Sequence, residues 1–447
     1  MTALSSDLML GRRAPTSDSD SNAIAKHIEL VAKHFTLKWL TSDHGNPIQK
    51  LWSRKDGFAT AELATLGDAL ERMSVSNAEW VKRRVSAAKA RKAANRIGDL
   101  FELVGLGMFQ HSDQIVTASK ESQPGFDGVV QLNNGAKIFM SMKNHDISSH
   151  EGHFTLRSET ISQNFRIALQ DANLTGLALF AFIPTYPQEA DWKTFSSALS
   201  AMSPGLVRVL TQGPQTFGSW TVYASGFSGA ESELATSPTS YKITICGGHH
   251  KNERANLLSN LSAAASNFET HLHLYNQPFD HRCLFIRLSG SAPTIACRDW
   301  CLSFFQDFPE SPIDCIILYQ MACATLNQND GVRIIQSAEI VQNPRHRGFA
   351  GPSGETSNLK AKTLIGLPTP MHTHMQVLGT NVSIRDNYIF QRGDIYRKAI
   401  RQLDGSLTGR MRYIAPGVLE HSVVDVAGST AIFSGLYPES DRLILFS

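Results

Sequence analysis

Apolar residues in the first quarter of the chain recur every three or four positions. In SNAIAKHIELVAKHF (21–35) they fall on one helical stripe, with Ser21 where a cap belongs. TAELATLGDALERM (60–73) repeats the pattern, and NAEWVKRRVSAAKARKAANRIGDLFELVGLGMF predicts one long helix from Asn77, with Gly105 and Gly107 near its end. A helical region over 23–95 is therefore expected behind a disordered tail, 1–22.

The period changes after residue 113. DQIVTAS predicts a strand, and PGFDGVVQLNNGAKIFMSMKNHD (124–146) predicts two more joined by a tight turn. SETISQNFRIALQDA predicts a helix and LTGLALFAFIP (174–184) a buried strand. Residues 96–239 thus read as one α/β domain. A second α/β domain is expected over 240–342, with strands in YKITICGG, HRCLFIRLSG and DCIILYQMA and helices in NERANLLSNLSAAASNF and RDWCLSFFQDF. NPRHRGFAGPSGETSN (343–358) has linker composition, and 359–447 reads as β-rich.

The turn in the hairpin fixes a register. Asn133-Asn134-Gly135 suits a three-residue loop whose last residue takes a left-handed conformation, which pairs Leu132 with Ala136. Counting back sets Asp127 opposite Ser141. Side chains alternate along a strand, so Ser141 and Lys143 share a face and meet Asp127 there, while Ile138, Met140 and Met142 form an apolar stripe on the other. A two-residue loop would set Asp127 opposite Met142, on the wrong face.

Composition narrows the class. The chain has 447 residues, is 42% apolar and 18% charged, and carries a formal charge of +2, as an ordinary multidomain soluble protein does. The 174–184 stretch is too short to span a membrane, and no signal peptide is evident, so a cytoplasmic location is expected. All six cysteines lie between Cys246 and Cys323 in apolar surroundings without a CxxC, which predicts buried free thiols rather than a zinc site. His145, His150 and His153 lack a standard zinc spacing and read as a polar loop. The pairs His271/His273 and His372/His374 read as structural.

The segment GFDGVVQLNNGAKIFMSMKNHD resembles the heart of the PD-(D/E)xK nuclease superfamily, whose fold is restriction-endonuclease-like. Asp127 matches that pattern's first acid and Lys143 its lysine. GDLFELVG supplies Asp99 and Glu102 on the preceding helix, and SETISQNFRIALQDA, with Gln163, matches the following one. The resemblance covers roughly residues 95–185. It implies an α/β protein with a restriction-endonuclease-like mixed sheet core (96–239), preceded by the helical region and followed by the second α/β unit and the β-rich end. It implies Mg²⁺ or Mn²⁺ held by Asp127 and Glu102, Lys143 at the attacking water, and a role in restriction, repair or antiviral (anti-phage) defence. The chain departs from the pattern at Ser141, which stands where the second acid belongs and offers oxygen without charge.

Two basic stretches bear on partners. Lys82, Arg83, Arg84, Lys89, Arg91, Lys92 and Arg96 occur without an intervening acid, which suits phosphate contact; the bland reading pairs them with Glu62, Asp68 and Glu71. Residues 385–413 interleave arginines with aromatics. The expected partner is nucleic acid, DNA before RNA, with a partner protein or second copy as a further expectation and no membrane. The alternative function is a catalytically inactive nuclease-like module that binds nucleic acid or scaffolds a partner enzyme. A third is a small-molecule sensor, although CGGHHKNE lacks phosphate-loop spacing.

Overall fold

Helix α1 (Ser21–Phe35) buries Ile24, Ile28, Val31 and Phe35 against Leu63, Leu66, Leu70 and Met73 of α4 (Gly57–Lys89). In this computed structural model the two cross so closely at Gly67 that a Cβ there would lie 2.1 Å from the His27 carbonyl oxygen, so only glycine fits. The structure describes Arg12 and residues 21–42, 46–54, 57–90, 96–120, 125–145, 148–226, 240–271, 273, 277, 279–289, 292–325 and 332–361. Beyond these it describes backbone strands between 373 and 436.

Short helices α2 (Leu37–Leu40) and α3 (Pro47–Ser53) lead into α4, and α5 (Arg96–Phe109) follows it. The long helix expected from Asn77 is instead two. Asn77 is a kink within α4 (φ −131°, ψ 32°), and α5 is a separate element. The kink is anchored, because the Asn77 amide donates to Val116 O (2.8 Å) and its Oδ1 accepts from Ala118 N (2.9 Å). Within the expected tail, Arg12 is held by Trp52 O (2.8 Å) and Arg54 O (3.0 Å).

The first sheet has the order β1 (Gln114–Ala118), β2 (Gly128–Leu132), β3 (Lys137–His145), β8 (Asp280–Leu288), β9 (Cys315–Thr325), β10 (Val332–Gln342). It is antiparallel from β1 to β3, parallel across β3, β8 and β9, and antiparallel again to β10. One face shares a continuous core with α1–α5 through Ile138, Met140, Met142, Phe285 and Tyr319. The other is covered by α9 (Asn252–Thr270), through Leu257, Leu261, Ala264 and Phe268, and by α10 (Thr294–Asp307). Burial on both faces explains why β8 reads as an unbroken apolar run.

The second sheet has the order β15 (Tyr388–Ile389), β16 (Ile395–Gln402), β7 (Tyr241–Gly248), β4 (Leu177–Ile183), β6 (Trp220–Gly226), β5 (Gln215–Phe217). It packs with α6 (Ser149–Asp171), α7 (Glu189–Ser200) and α8 (Pro204–Gln212) around Phe165, Trp220 and Tyr241. A two-residue pair, β11 (Phe349–Ala350) and β12 (Thr356–Ser357), precedes a five-stranded antiparallel sheet. That sheet has the order β14 (Thr380–Ile384), β13 (Thr373–Val377), β19 (Thr430–Leu436), β18 (Val418–Val424), β17 (Thr408–Ala415).

The protein is thus α/β with mixed sheets and a β-rich end. The expected boundaries do not coincide with packing. The helices of 23–95 share the first sheet's core, and both large sheets draw strands from either side of 239/240. Helix α6 brings a second departure. It begins at Ser149, capped by Ser148, so His150 and His153 are helical rather than in a loop. It also packs on the second sheet, which takes Gln163 with it; the helix following over the first sheet is α9. Residues 343–357 are not an open linker either. They fold back on the hairpin turn, where the Asn134 amide donates to Phe349 O (3.0 Å) and Glu355 O (2.7 Å). The described cysteines, 246, 283, 297, 301 and 315, are free and buried. No helix among the described residues is long and apolar enough to cross a membrane.

Candidate functional site

The β2–β3 turn adopts the expected form. Gly135 has φ +84°, its N–H donates to Leu132 O (3.0 Å), and Leu132 N donates to Ala136 O (2.9 Å). Gly128 therefore pairs with Met140, and Asp127 is the residue just before this ladder. There the ladder loosens. The Asp127 N–H bonds Met140 O (2.8 Å), one residue out of step with the Gly128–Met140 pairing. The Asp127 Oδ2, not a backbone carbonyl, takes the Met142 N–H (2.6 Å). The carboxylate is thus seated in the opening between two strands, where Ser141 also hydrogen-bonds it.

Glu102 reaches the same place from α5. Asp99 lies one turn earlier on the same helical face. The Arg84 guanidinium from the far side of the α4 kink spans both acids, Nη1 to Asp99 Oδ1 at 2.6 Å and Nη2 to Glu102 Oε2 at 2.5 Å. It also lies 5.3 Å from the Trp80 ring centroid.

The electrostatics tie these groups together. Burial, then the Asp127 charge, raises the Glu102 pKa to about 8, against the pull of Arg84 and Lys143. Burial also raises Asp127, while the Met142 N–H, Lys143 and Arg84 pull it down. Asp127 is thus coupled electrostatically to Glu102, Lys143 and Arg84, with Ser141 beside it, and Glu102 is coupled also to Asp99. Asp127 and Glu102 are the two carboxyls here that could hold a cation, since a positive ion would favour the ionised form of Glu102.

The basic run is not one surface. Arg84 turns into the site. Lys89 lies 5.8 Å from the Phe35 ring and 5.7 Å from that of Trp39, and burial lowers its pKa. Lys82 pairs with Glu79 (2.6 Å), and Arg83 is exposed. Arg91 and Lys92 lie outside the described residues, as does the Arg96 side chain. The acids proposed as partners of the run are engaged elsewhere: Asp68 with Arg72 (2.8 Å), Glu71 with Lys26, and Glu62 buried at 0% exposure. Arg84 was legible only as charge. Its i,i+4 spacing from Trp80, suited to a ring-stacked guanidinium, was the available signal that it does not point to solvent. Of the second basic stretch, only the backbone of its strands and the side chains of Tyr396 and Lys398 are described; Lys398 pairs with Glu159 (2.9 Å).

No protein-family model matches the chain, and neither does any curated protein sequence.

Proposed function

We propose that the chain is a divalent-metal-dependent nuclease of the PD-(D/E)xK kind, acting on DNA before RNA. The observation that carries this reading is the placement of Asp127 near enough to Glu102 to raise its pKa, with Lys143 and Arg84 within electrostatic reach of both. Asp127 and Glu102 would hold Mg²⁺ or Mn²⁺, which supplies Lewis acidity toward the phosphate and acidifies an attacking water. The Lys143 ammonium then orients that water and offsets charge developing on the phosphate. Arg84 holds Glu102 in place across α4 and α5. Helix α9, lying over the other face, completes the pattern of a helix before the hairpin and one after it. A function in restriction, repair or antiviral defence follows from the nuclease reading.

A second reading, an inactive nuclease-like module that binds nucleic acid, is favoured by two observations. Ser141 brings no charge, and Arg84 Nη2 already lies 2.5 Å from Glu102 Oε2, where a cation would have to compete with it. Incubation of the full chain with DNA and with RNA, in Mg²⁺, Mn²⁺ or EDTA, separates the two. Metal-dependent cleavage lost in both Asp127→Ala and Lys143→Ala is the expected result. Metal-independent, salt-sensitive retention of nucleic acid without cleavage would establish the second reading instead. Ser141→Glu should raise cleavage if a second acid is what the site lacks.

A further inference from the structure

At the opposite end of the first sheet, three residues from three segments meet. His281 stands near the start of β8, Asp314 just before β9, and His346 in the turn after β10. One donor atom from each lies within 4.8 Å of the others. His281 pairs across to Ile138, whereas Lys143 pairs with Ile286, so the two places are separated by about 15–20 Å along the strands.

Each of the three is positioned by its own backbone. Asp314 N donates to Arg282 O (2.9 Å), and Asp314 Oδ2 accepts from Arg282 N (2.7 Å), which locks the carboxylate beside His281 and leaves Oδ1 facing His346 Nδ1 at 3.8 Å. His281 Nε2 lies 3.0 Å from Ala350 O, to which it donates when Nδ1 carries the lone pair. This is the outer hydrogen bond that metal-ligating imidazoles make. His346 closes a turn anchored by buried Asn343. The His346 N–H donates to Asn343 O (2.8 Å), and the Asn343 amide donates to Ile313 O (3.2 Å). The His346 side chain is only 4% exposed, and its Nε2 is buried with no hydrogen-bond partner. Phe349 packs on both rings, at 5.4 Å from His281 and 5.1 Å from His346.

We propose that His281, Asp314 and His346 bind a divalent transition-metal ion, with zinc as the occupant, and that this ion clips residues 343–357 to the foot of the first sheet. Two imidazoles and one carboxylate form a borderline donor set that selects zinc over magnesium or calcium. Metal–donor distances of about 2.0–2.2 Å require the three side chains to draw in by roughly an ångström, a rotation that rigid backbone anchors permit. The plain alternative is a His346 imidazolium paired with Asp314. It fits poorly: the 3.8 Å separation is long, and a second N–H would be buried without an acceptor. The segment so clipped holds the Asn134 turn, and hence the register of the hairpin that carries Asp127, Ser141 and Lys143. The clip stands on residues remote from those four and does not depend on the nuclease reading.

The test uses the full chain, stripped with a chelator and titrated with Zn²⁺ or Co²⁺. The expected result is one tightly held ion per chain by elemental analysis and a cobalt d–d spectrum without thiolate charge transfer. Zinc should also raise the melting temperature by several degrees, as about a hundredfold excess over Kd would. His346→Gln and Asp314→Asn should each weaken binding at least tenfold, while Asp127→Ala leaves it intact. Failure of the wild-type chain to take up zinc or cobalt at micromolar concentration would overturn the proposal, whether or not the variants fold. So would undiminished stoichiometry and affinity in His346→Gln, or a thiolate band, which would move the ligand set to Cys283 and Cys315.

Discussion

The two ends of the first sheet each gather side chains from separate segments, but they balance charge in opposite ways. At the carboxylate end, Asp99, Glu102 and Asp127 crowd around Arg84 and Lys143, and Glu102 is driven to about 8 because burial and Asp127 outweigh the cations. At the foot, one carboxylate already satisfied by a backbone N–H faces two imidazoles, and the buried atom without a partner is a ring nitrogen. The first arrangement is destabilised without a cation and suits chemistry. The second is held by backbone anchors and suits a fixed joint. One sheet thus carries unbalanced buried carboxyls at one end and backbone-anchored side chains at the other.

Four measurements break or sharpen this contrast. The largest effect is expected at the carboxylate end: Asp127→Ala or Lys143→Ala should lower nucleic-acid cleavage by about 10²–10³-fold or more. An equal loss from His346→Gln would break the contrast, since the foot is expected to act on stability. Next, Asn134→Ala removes the amide that grips Phe349 and Glu355 and the oxygen that accepts from Ala136 N. Chemical denaturation should show a loss of about 1–3 kcal/mol, with cleavage retained at low temperature.

The third measurement concerns pH. The folded Glu102 keeps its proton up to about 8, whereas the unfolded chain releases it near 4.5. Unfolding of the metal-free protein therefore releases a proton between these values, and stability falls as pH rises through that window. Glu102→Gln should abolish this decline and raise the melting temperature at pH 8 by about 2–4 °C, while Mg²⁺ should give the same relief in the wild type alone. The smallest effect is expected from Arg84→Lys, which loses the two-pronged grip on Asp99 and Glu102. The alkaline-going limb of the pH–activity profile should move upward by a fraction of a unit. An unshifted limb would mean that Arg84 is a structural brace only.

The hairpin was legible in the sequence because its information is local. Asn133-Asn134-Gly135 dictates the loop, the loop dictates the register from Gln131–Lys137 to Gly128–Met140, and that register brings Asp127 close enough to hydrogen-bond the Met142 N–H. The α/β class and the apolar runs of β4 and β8 were legible for the same reason. What lay hidden was non-local. Helix α6 and helix α9 both carry apolar stripes, and nothing in either stripe says which sheet it covers. Arg84 sits in a run of like charges whose members take different directions only once α4 bends at Asn77. His281, Asp314 and His346 are more than thirty positions apart from one to the next in the chain, so no spacing rule links them.

The excursion of the chain through the second sheet has a consequence for biogenesis. Strand β3 must await its parallel neighbour β8 across the 134 residues between His145 and Asp280. At ordinary elongation rates that is roughly 7–30 s during which the nascent hairpin has an open edge. Until β8 leaves the ribosome, Met142 has no Phe285 beside it, and Asp127 sits on a ribbon of two or three strands too slight to hold its shape. The end of the sheet that carries Asp127 and Lys143 is thus completed only once β8 has been made.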